Sequence, residues 1–298
     1  MNRPHARPLT LALGANVLFS GGWALVLLFR PDALAPHFGE VPEAWLRIVG
    51  GLLAGFVPVL MLAWRQASRA EPRVGVALAA VALDLGWVAG SLALLPYAVE
   101  RFSTLGIALF AGVAAAVALL AALQWRGVGR LYAEPDRAWG TTHRVEVTVD
   151  ADVAPEALWP VIADLGSIDR HLAGLAEARV DTTPGVGAVR TCANAKGQRW
   201  SEEVTGWDPG RSLTLRFLSD RDDFPYPLDP MVGGWRLEAL GADACRTTVW
   251  WSFTPRPRWL SPAMAPMLLS KVRPDMIATV QSMARVARTR DAPERASA

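Results

Sequence analysis

Gly233–Phe253 reads GGWRLEALGADACRTTVWWSF. Its two arms alternate: Trp235 and Leu237 share one face of the first, and Val249, Trp251 and Phe253 share one face of the second. A period of two marks a half-buried strand, and Gly241 supplies a turn between the arms. The stretch is therefore an antiparallel pair with an aromatic inner face. Upstream, Ser212–Phe217 repeats the pattern with Leu213, Leu215 and Phe217 inward, and Gln198–Thr205 puts Trp200 and Val204 on its apolar parity. Further back, His143–Val149 sets Val145, Val147 and Val149 against Arg144, Glu146 and Thr148. His143 itself is assigned to the polar, solvent-exposed side of that strand.

Downstream the period changes. From Ser261 to Ala287, Met264, Leu268, Val272, Met276, Val280 and Met283 recur at helical spacing, with Pro274 expected to kink or break the run. A strand, a short helix after Pro155, a meander and a long amphipathic helix make an α+β layer, the helix lying on one sheet face.

The first part of the chain is built differently. Nineteen of the first 139 residues are charged, against 39 of the remaining 159, although the whole chain is 52% hydrophobic with a net charge of only +2. Four apolar runs, 8–29, 45–64, 74–99 and 104–125, are each about the 20 residues that a helix needs to cross a bilayer. Arg30, Pro31 and Asp32 follow the first run in place of a small-residue cleavage site, so it reads as a permanent span. Arg3, Arg7, Arg65, Arg69, Arg73, Arg126 and Arg130 fall on one side, and Arg30, Arg47 and Arg101 on the other. That bias puts the N-terminus and the second domain in the cytoplasm, as for a multi-pass protein of a bacterial inner membrane. The expected organisation is a four-span domain over 1–128, a linker over 129–140, an α+β domain over 141–290 and a disordered tail over 291–298.

Inside the spans, Gly51/Gly55 and Gly86/Gly90 form small-xxx-small pairs that predict close helix packing. Self-association through these helices stays open. Asp84 lies near mid-membrane, where a carboxylate is expensive. Asn16 reaches similar depth, so the two are expected to face each other, either as polar glue or as a proton or small-ligand site.

The second domain also carries a family resemblance. Val153–Val180, VAPEALWPVIADLGSIDRHLAGLAEARV, resembles the opening of the polyketide cyclase/dehydrase group of the START-like (SRPBCC) superfamily. PGVGAVRTC, EEVTGWDPGRSLTLRF and GGWRLEALGADACRTTVWWSFTPR resemble its successive strands. The resemblance spans about 141–290 and implies a helix-grip fold with a ligand cavity between sheet and terminal helix. The wall it implies here comprises Trp200, Leu213, Leu215, Phe217, Trp235 and Trp251, facing Met276 and Met283, and methionine suits a flexible apolar ligand.

Chemistry is sparse. There is no glycine-rich phosphate loop and no HExxH. A GxSxG elbow is also lacking. No cofactor or metal is expected, the near-neutral charge argues against nucleic acid, and Cys192 and Cys245 read as two free thiols. Glu202, on the Trp200 parity, needs a partner or a raised pKa if it faces inward. It and His171 are the acid/base candidates, although a bland packing role for His171 is the simpler reading. The acidic loop Ser219–Met231 reads as a solvated lid. Pro255–Leu269, with Arg256, Arg258 and Trp259 before apolar residues, reads equally as a membrane-surface contact or as helix core.

The leading expectation is a membrane-anchored START-like protein that binds a hydrophobic small molecule or lipid from the adjacent bilayer, with catalysis doubtful. The alternative is a cyclase/dehydratase on a hydrophobic substrate. A third reading makes the membrane part a small transporter or membrane subunit, with the soluble domain as its sensor.

Overall fold

The computed structural model describes residues 6–39, 41–69, 72–134 and 142–296. Arg3, Glu40 and the Pro135–Gly140 part of the expected linker lie outside them. The chain divides into two compact units, Met1–Leu131 and Tyr132–Ala298.

The first unit contains four helices long and apolar enough to cross a membrane: α1 (Arg7–Phe29), α3 (Glu43–Ala67), α4 (Gly75–Arg101) and α5 (Thr104–Leu131). Backbone groups in hydrocarbon must be paired within their own segment, which leaves such runs little choice but helix. Their outer faces are apolar, with Leu18 79% and Leu52 65% exposed, while Asn16, Ser20, Asp84 and Gln124 are buried. Apolar outside and polar inside suits a bundle in lipid. A short helix, α2 (Pro31–Phe38), escaped the sequence reading. It ends at Gly39, whose φ of +85° suits glycine. Phe38 then stacks edge-on against Phe102, and Phe102 against Phe110, at 5.6 and 5.7 Å between ring centres.

Two expectations fail here. The linker was placed from 129, but α5 continues to Leu131, and Ala133 then bridges His143. Near the end of α5, Gly127 is a packing site: a Cβ there would lie 2.7 Å from the Leu9 Cα. Conversely, Gly51, Gly55, Gly86 and Gly90 would each place a Cβ in open space, whereas Gly50 meets Leu27 and Leu28 at 3.0 Å and Gly106 meets Phe38 at 2.8 Å. The small-xxx-small pairs therefore do not seat the helices of this unit on one another; single glycines, Gly50 on α3 and Gly106 and Gly127 on α5, do.

The second unit is a seven-stranded antiparallel sheet with a long C-terminal helix, as in helix-grip folds. In chain order it has β1 (His143–Ala151), α6 (Pro155–Ile162), a 3₁₀ segment Leu165–Arg170, and β2 (Leu175–Val180). Then come β3 (Val189–Asn194), β4 (Arg199–Asp208), β5 (Ser212–Phe217), β6 (Leu228–Gly241), β7 (Ala244–Pro255) and α7 (Ser261–Ala296). The sheet order is β1-β7-β6-β5-β4-β3-β2. A residue row runs across it as Val204, Leu215, Gly233, Trp251 and Val145, and the next as Trp207, Leu213, Trp235, Val249 and Val147. The shift between Val204 and Gly206 returns Trp207 to the inner face. There its ring meets that of Trp159 at 5.3 Å and ties α6 to the sheet.

Three readings of this unit are corrected. His143 is fully buried, beside Phe253. It shares the odd parity of Val145 and Val147, so the pleat turns it inward with them. Pro274 does not break α7. Its missing N–H removes one hydrogen bond, while Ala265 and Met276, buried on either side of it, hold the flanking turns. The tail expected to be disordered from 291 continues α7 to Ala296, because a helix anchored through Ala287 propagates at low cost; Ser297 and Ala298 lie outside the described residues. Cys192 and Cys245 are both buried and free. β3 and β7 are four strand spacings apart, roughly 19 Å, so these thiols do not meet.

Candidate functional site

The inner face of the sheet divides in two. Leu213, Leu215, Trp235, Met276 and Met283 are buried together with Val204 and Val280 in one cluster, each at most 5% exposed. These expected ligand contacts are core. Phe217 belongs to a second cluster near the other end, and Trp200 and Trp251 bridge the two.

At that second cluster the sheet carries a charge pair. β3 and β4 place Arg190 opposite Glu202, and the next residue opposite Glu202 on β5 is Phe217. Arg190 donates to Glu202 Oε2 through Nε at 3.1 Å and again through a terminal nitrogen, and Trp200 Nε1 donates to Oε1 at 2.7 Å. Both charged side chains are about 95% buried. Desolvation works against the Arg190 charge, but the facing carboxylate outweighs it and the guanidinium pKa is raised. Burial, reinforced by the Glu202 charge and opposed by Arg190, pushes the neighbouring Cys192 thiol up to about 12, so it stays neutral.

An aromatic chain runs beside this pair, starting at Trp200 and ending at Phe217. Trp200 contacts Tyr226, Tyr226 contacts Phe224 and Phe224 contacts Phe217, all edge-on at 5.6–6.4 Å. Phe224 and Tyr226 come from the acidic loop between β5 and β6. Tyr226 is 37% exposed. Burial raises its phenol pKa, against a hydrogen bond with Asn194. Within the loop, Asp229 accepts from Ser219 at 2.9 Å and pairs with Arg256. Among the described residues no group of acidic, His or Cys side chains is arranged to hold a metal.

The chemistry favoured by this arrangement is recognition. Both Glu202 oxygens are already committed to donors of the protein, one to Arg190 and the other to the Trp200 N–H. His171 stands elsewhere: its Nδ1 is 3.0 Å from Ser282 Oγ, and its carbonyl accepts from Thr279, so it ties the 3₁₀ segment to α7. Burial lowers its pKa, as do the charges of Arg170 and Arg290. The structure thus brings Glu202, Trp200 and Phe217 together and leaves His171 apart. Arg190, Phe224 and Tyr226 were missed. Arg190 alternates with Ala188 and Cys192, and a charge on that apolar parity was the available signal.

Residues 142–288 match the family described as "Polyketide cyclase / dehydrase and lipid transport". That match lies wholly within the second unit. No curated protein matches the chain. Among solved structures, the cyclase/dehydrase unit is similar to the Zhui aromatase/cyclase from a Streptomyces species at 20% identity and a TM-score of 0.41, over 50% of this chain and 95% of that one. XoxI from Bacillus cereus matches at 18% and 0.40, over 47% and 93%. Norcoclaurine synthase from Thalictrum flavum matches at 12% and 0.41, over 49% and 96%.

The intramembrane candidates also meet. Asn16 Nδ2 donates to Asp84 Oδ2 at 2.7 Å, and Gln124 Nε2, absent from the sequence reading, donates to the same oxygen at 2.9 Å.

Proposed function

We propose that the cyclase/dehydrase unit binds a hydrophobic small molecule or lipid, with its polar end beside Arg190 and Glu202 and its apolar body along Trp200, Phe217, Phe224 and Tyr226. The observation that carries this reading is a buried ion pair beside a chain of four aromatic rings, one of them substantially exposed. A buried pair is weak as a stability device, but it offers a ligand head group a preorganised dipole in an apolar wall.

The four apolar helices anchor the unit to a bacterial inner membrane in this reading, with both the N-terminus and the cyclase/dehydrase unit cytoplasmic. The ligand then comes from the adjacent bilayer. Trp259 and Met267, 69% and 64% exposed, are the residues that would touch a lipid surface, while Met264, Leu268 and Leu269 pack into the core. No nucleic acid is involved.

Mass spectrometry of organic extracts from full-length protein in mild detergent tests the proposal. An apolar molecule with a polar head should accompany the wild type and fall at least tenfold in Trp200→Ala and Phe224→Ala. Indistinguishable extracts from all three proteins would overturn it.

The family description also supports a second reading, a cyclase/dehydratase acting on such a molecule. Turnover of the extracted molecule, lost in Trp200→Ala together with its retention, would select this reading; retention without turnover would leave binding.

A further inference from the structure

Three helices of the first unit converge on one carboxylate. Asp84 on α4 accepts from Asn16 on α1 and Gln124 on α5, and Ser20 donates to Asn16 Oδ1 at 2.9 Å. All four residues are at most 3% exposed. Both donors to Asp84 are neutral amides, and none of the ion pairs among the described residues includes it. The sequence places this acid in the middle of an apolar span, where a charge is expensive unless something compensates it.

Asp84 also lines a cavity of about 320 Å³. Trp23, Trp87, Phe19 and Phe56 supply most of its polarisable wall, and a Cβ on Gly55, also in the lining, would meet open space. The Trp87 indole N–H is buried without a hydrogen-bond partner among the described residues. A second cavity of about 450 Å³ shares Trp23, Leu53, Trp87 and Val113 with the first and extends to Tyr97 and Arg101 at the end of α4. The two cavities adjoin at those four residues.

We infer that this cavity binds a lipophilic organic cation: an ammonium-type group on an apolar body that also carries an oxygen acceptor. Each part answers an observation. The positive charge compensates Asp84, with which no cation among the described residues pairs. Trp23 and Trp87, both in the lining, offer aromatic rings of the kind that attract a cation, more strongly where water is excluded. The apolar body fits the remaining wall, and the acceptor meets the Trp87 N–H, whose isolation is otherwise costly.

The test uses full-length protein in phosphatidylcholine nanodiscs, with rhodamine 6G as the cationic, oxygen-bearing probe and Nile red as its neutral counterpart, both read by fluorescence anisotropy. Wild type should bind rhodamine 6G saturably. Asp84→Asn, which keeps the size and hydrogen bonding of the side chain, should weaken that binding at least tenfold while changing Nile red little. Gly55→Leu narrows the cavity without altering Asp84 and should weaken rhodamine 6G binding at least tenfold with thermal unfolding unchanged. Trp200→Ala, in the other unit, should leave it intact, which separates this site from the one proposed above. Rhodamine 6G binding that survives both Asp84→Asn and Gly55→Leu, or that falls with Trp200→Ala, would overturn the inference.

Discussion

Trp200 and Glu202 stand two residues apart on one strand, and the indole N–H of the first donates to the carboxylate of the second at 2.7 Å. Neighbours at this spacing share a face but sit roughly 6.6 Å apart along the strand. Only a long side chain with a donor at its far end bridges that gap. With Arg190 on the other oxygen, the carboxylate is saturated without leaving the apolar face.

Breaking this arrangement from one side should be costly. Glu202→Leu leaves the Arg190 guanidinium buried without its anion, and about 3–5 kcal/mol of stability should be lost. The double variant Arg190→Met/Glu202→Leu removes both charges and should recover most of it. Chemical unfolding followed by tryptophan fluorescence gives the comparison. A double variant no better than the single one would show that the two charges are not coupled.

Gly233 and Gly234 carry a similar local constraint. The Trp251 ring lies over Gly233 on the inner face and the Trp250 ring over Gly234 on the outer, where a Cβ would fall 2.5 Å from the Leu213 carbonyl and 2.9 Å from the indole. Arg144 then sits 4.3 Å above the Trp250 ring. Gly234→Ala should therefore destabilise the unit by about 2–4 kcal/mol, in the range expected of overpacking plus a displaced ladder. Gly185→Ala, where a Cβ meets open space, should change the unfolding midpoint little. Equal midpoints for the two variants would refute the argument.

The legible parts of this fold are those where burial is one-sided. Val145, Val147 and Val149, or Leu213 and Leu215, announce their strands because the other parity is wet. β2 escapes because only Ala178 is buried along Leu175–Val180. Arg190 escapes because an inward charge breaks the very alternation that reveals a strand, and Phe224 and Tyr226 because a loop has no period. The Asn16–Asp84 contact was readable, since the rise of a helix fixes depth from residue count. Gln124 was not, because the apolar run ends at Trp125 while α5 continues to Leu131 and carries it inside.

His143 makes acid tolerance a readout of burial. Neither ring nitrogen forms a hydrogen bond of normal geometry among the described residues. Burial lowers its pKa, opposed by the Tyr132 carbonyl. A histidine whose folded pKa lies below its unfolded value binds its proton first in the unfolded chain. Its contribution is thus intact above about pH 6.5 and is lost as pH falls through the interval towards the folded value. His171 acts in the same direction. Unfolding free energies from pH 7.5 to 5 should decline in wild type and decline less in His143→Phe, which keeps a ring against Phe253. Parallel pH profiles would mean that His143 is solvated or already protonated in the folded state.

Two glycines of the apolar bundle should behave in opposite ways. At Gly127 a Cβ would lie 2.7 Å from the Leu9 Cα and 2.9 Å from its nitrogen, backbone contacts that cannot move aside without separating α1 from α5. That separation would also pull Asn16 and Gln124 apart around Asp84, because they belong to the same two helices. Gly127→Leu should therefore lower the thermal midpoint of the detergent-solubilised protein sharply. Gly86, where a Cβ meets open space, should accept leucine with no loss, since leucine also forms helix better by up to about 1 kcal/mol. If copies of the chain associate through the Gly86/Gly90 face, Gly86→Leu should shift the mass in size-exclusion chromatography with light scattering to that of a monomer while the midpoint holds. A collapse of the midpoint in Gly86→Leu, or its survival in Gly127→Leu, would contradict the helix packing described above.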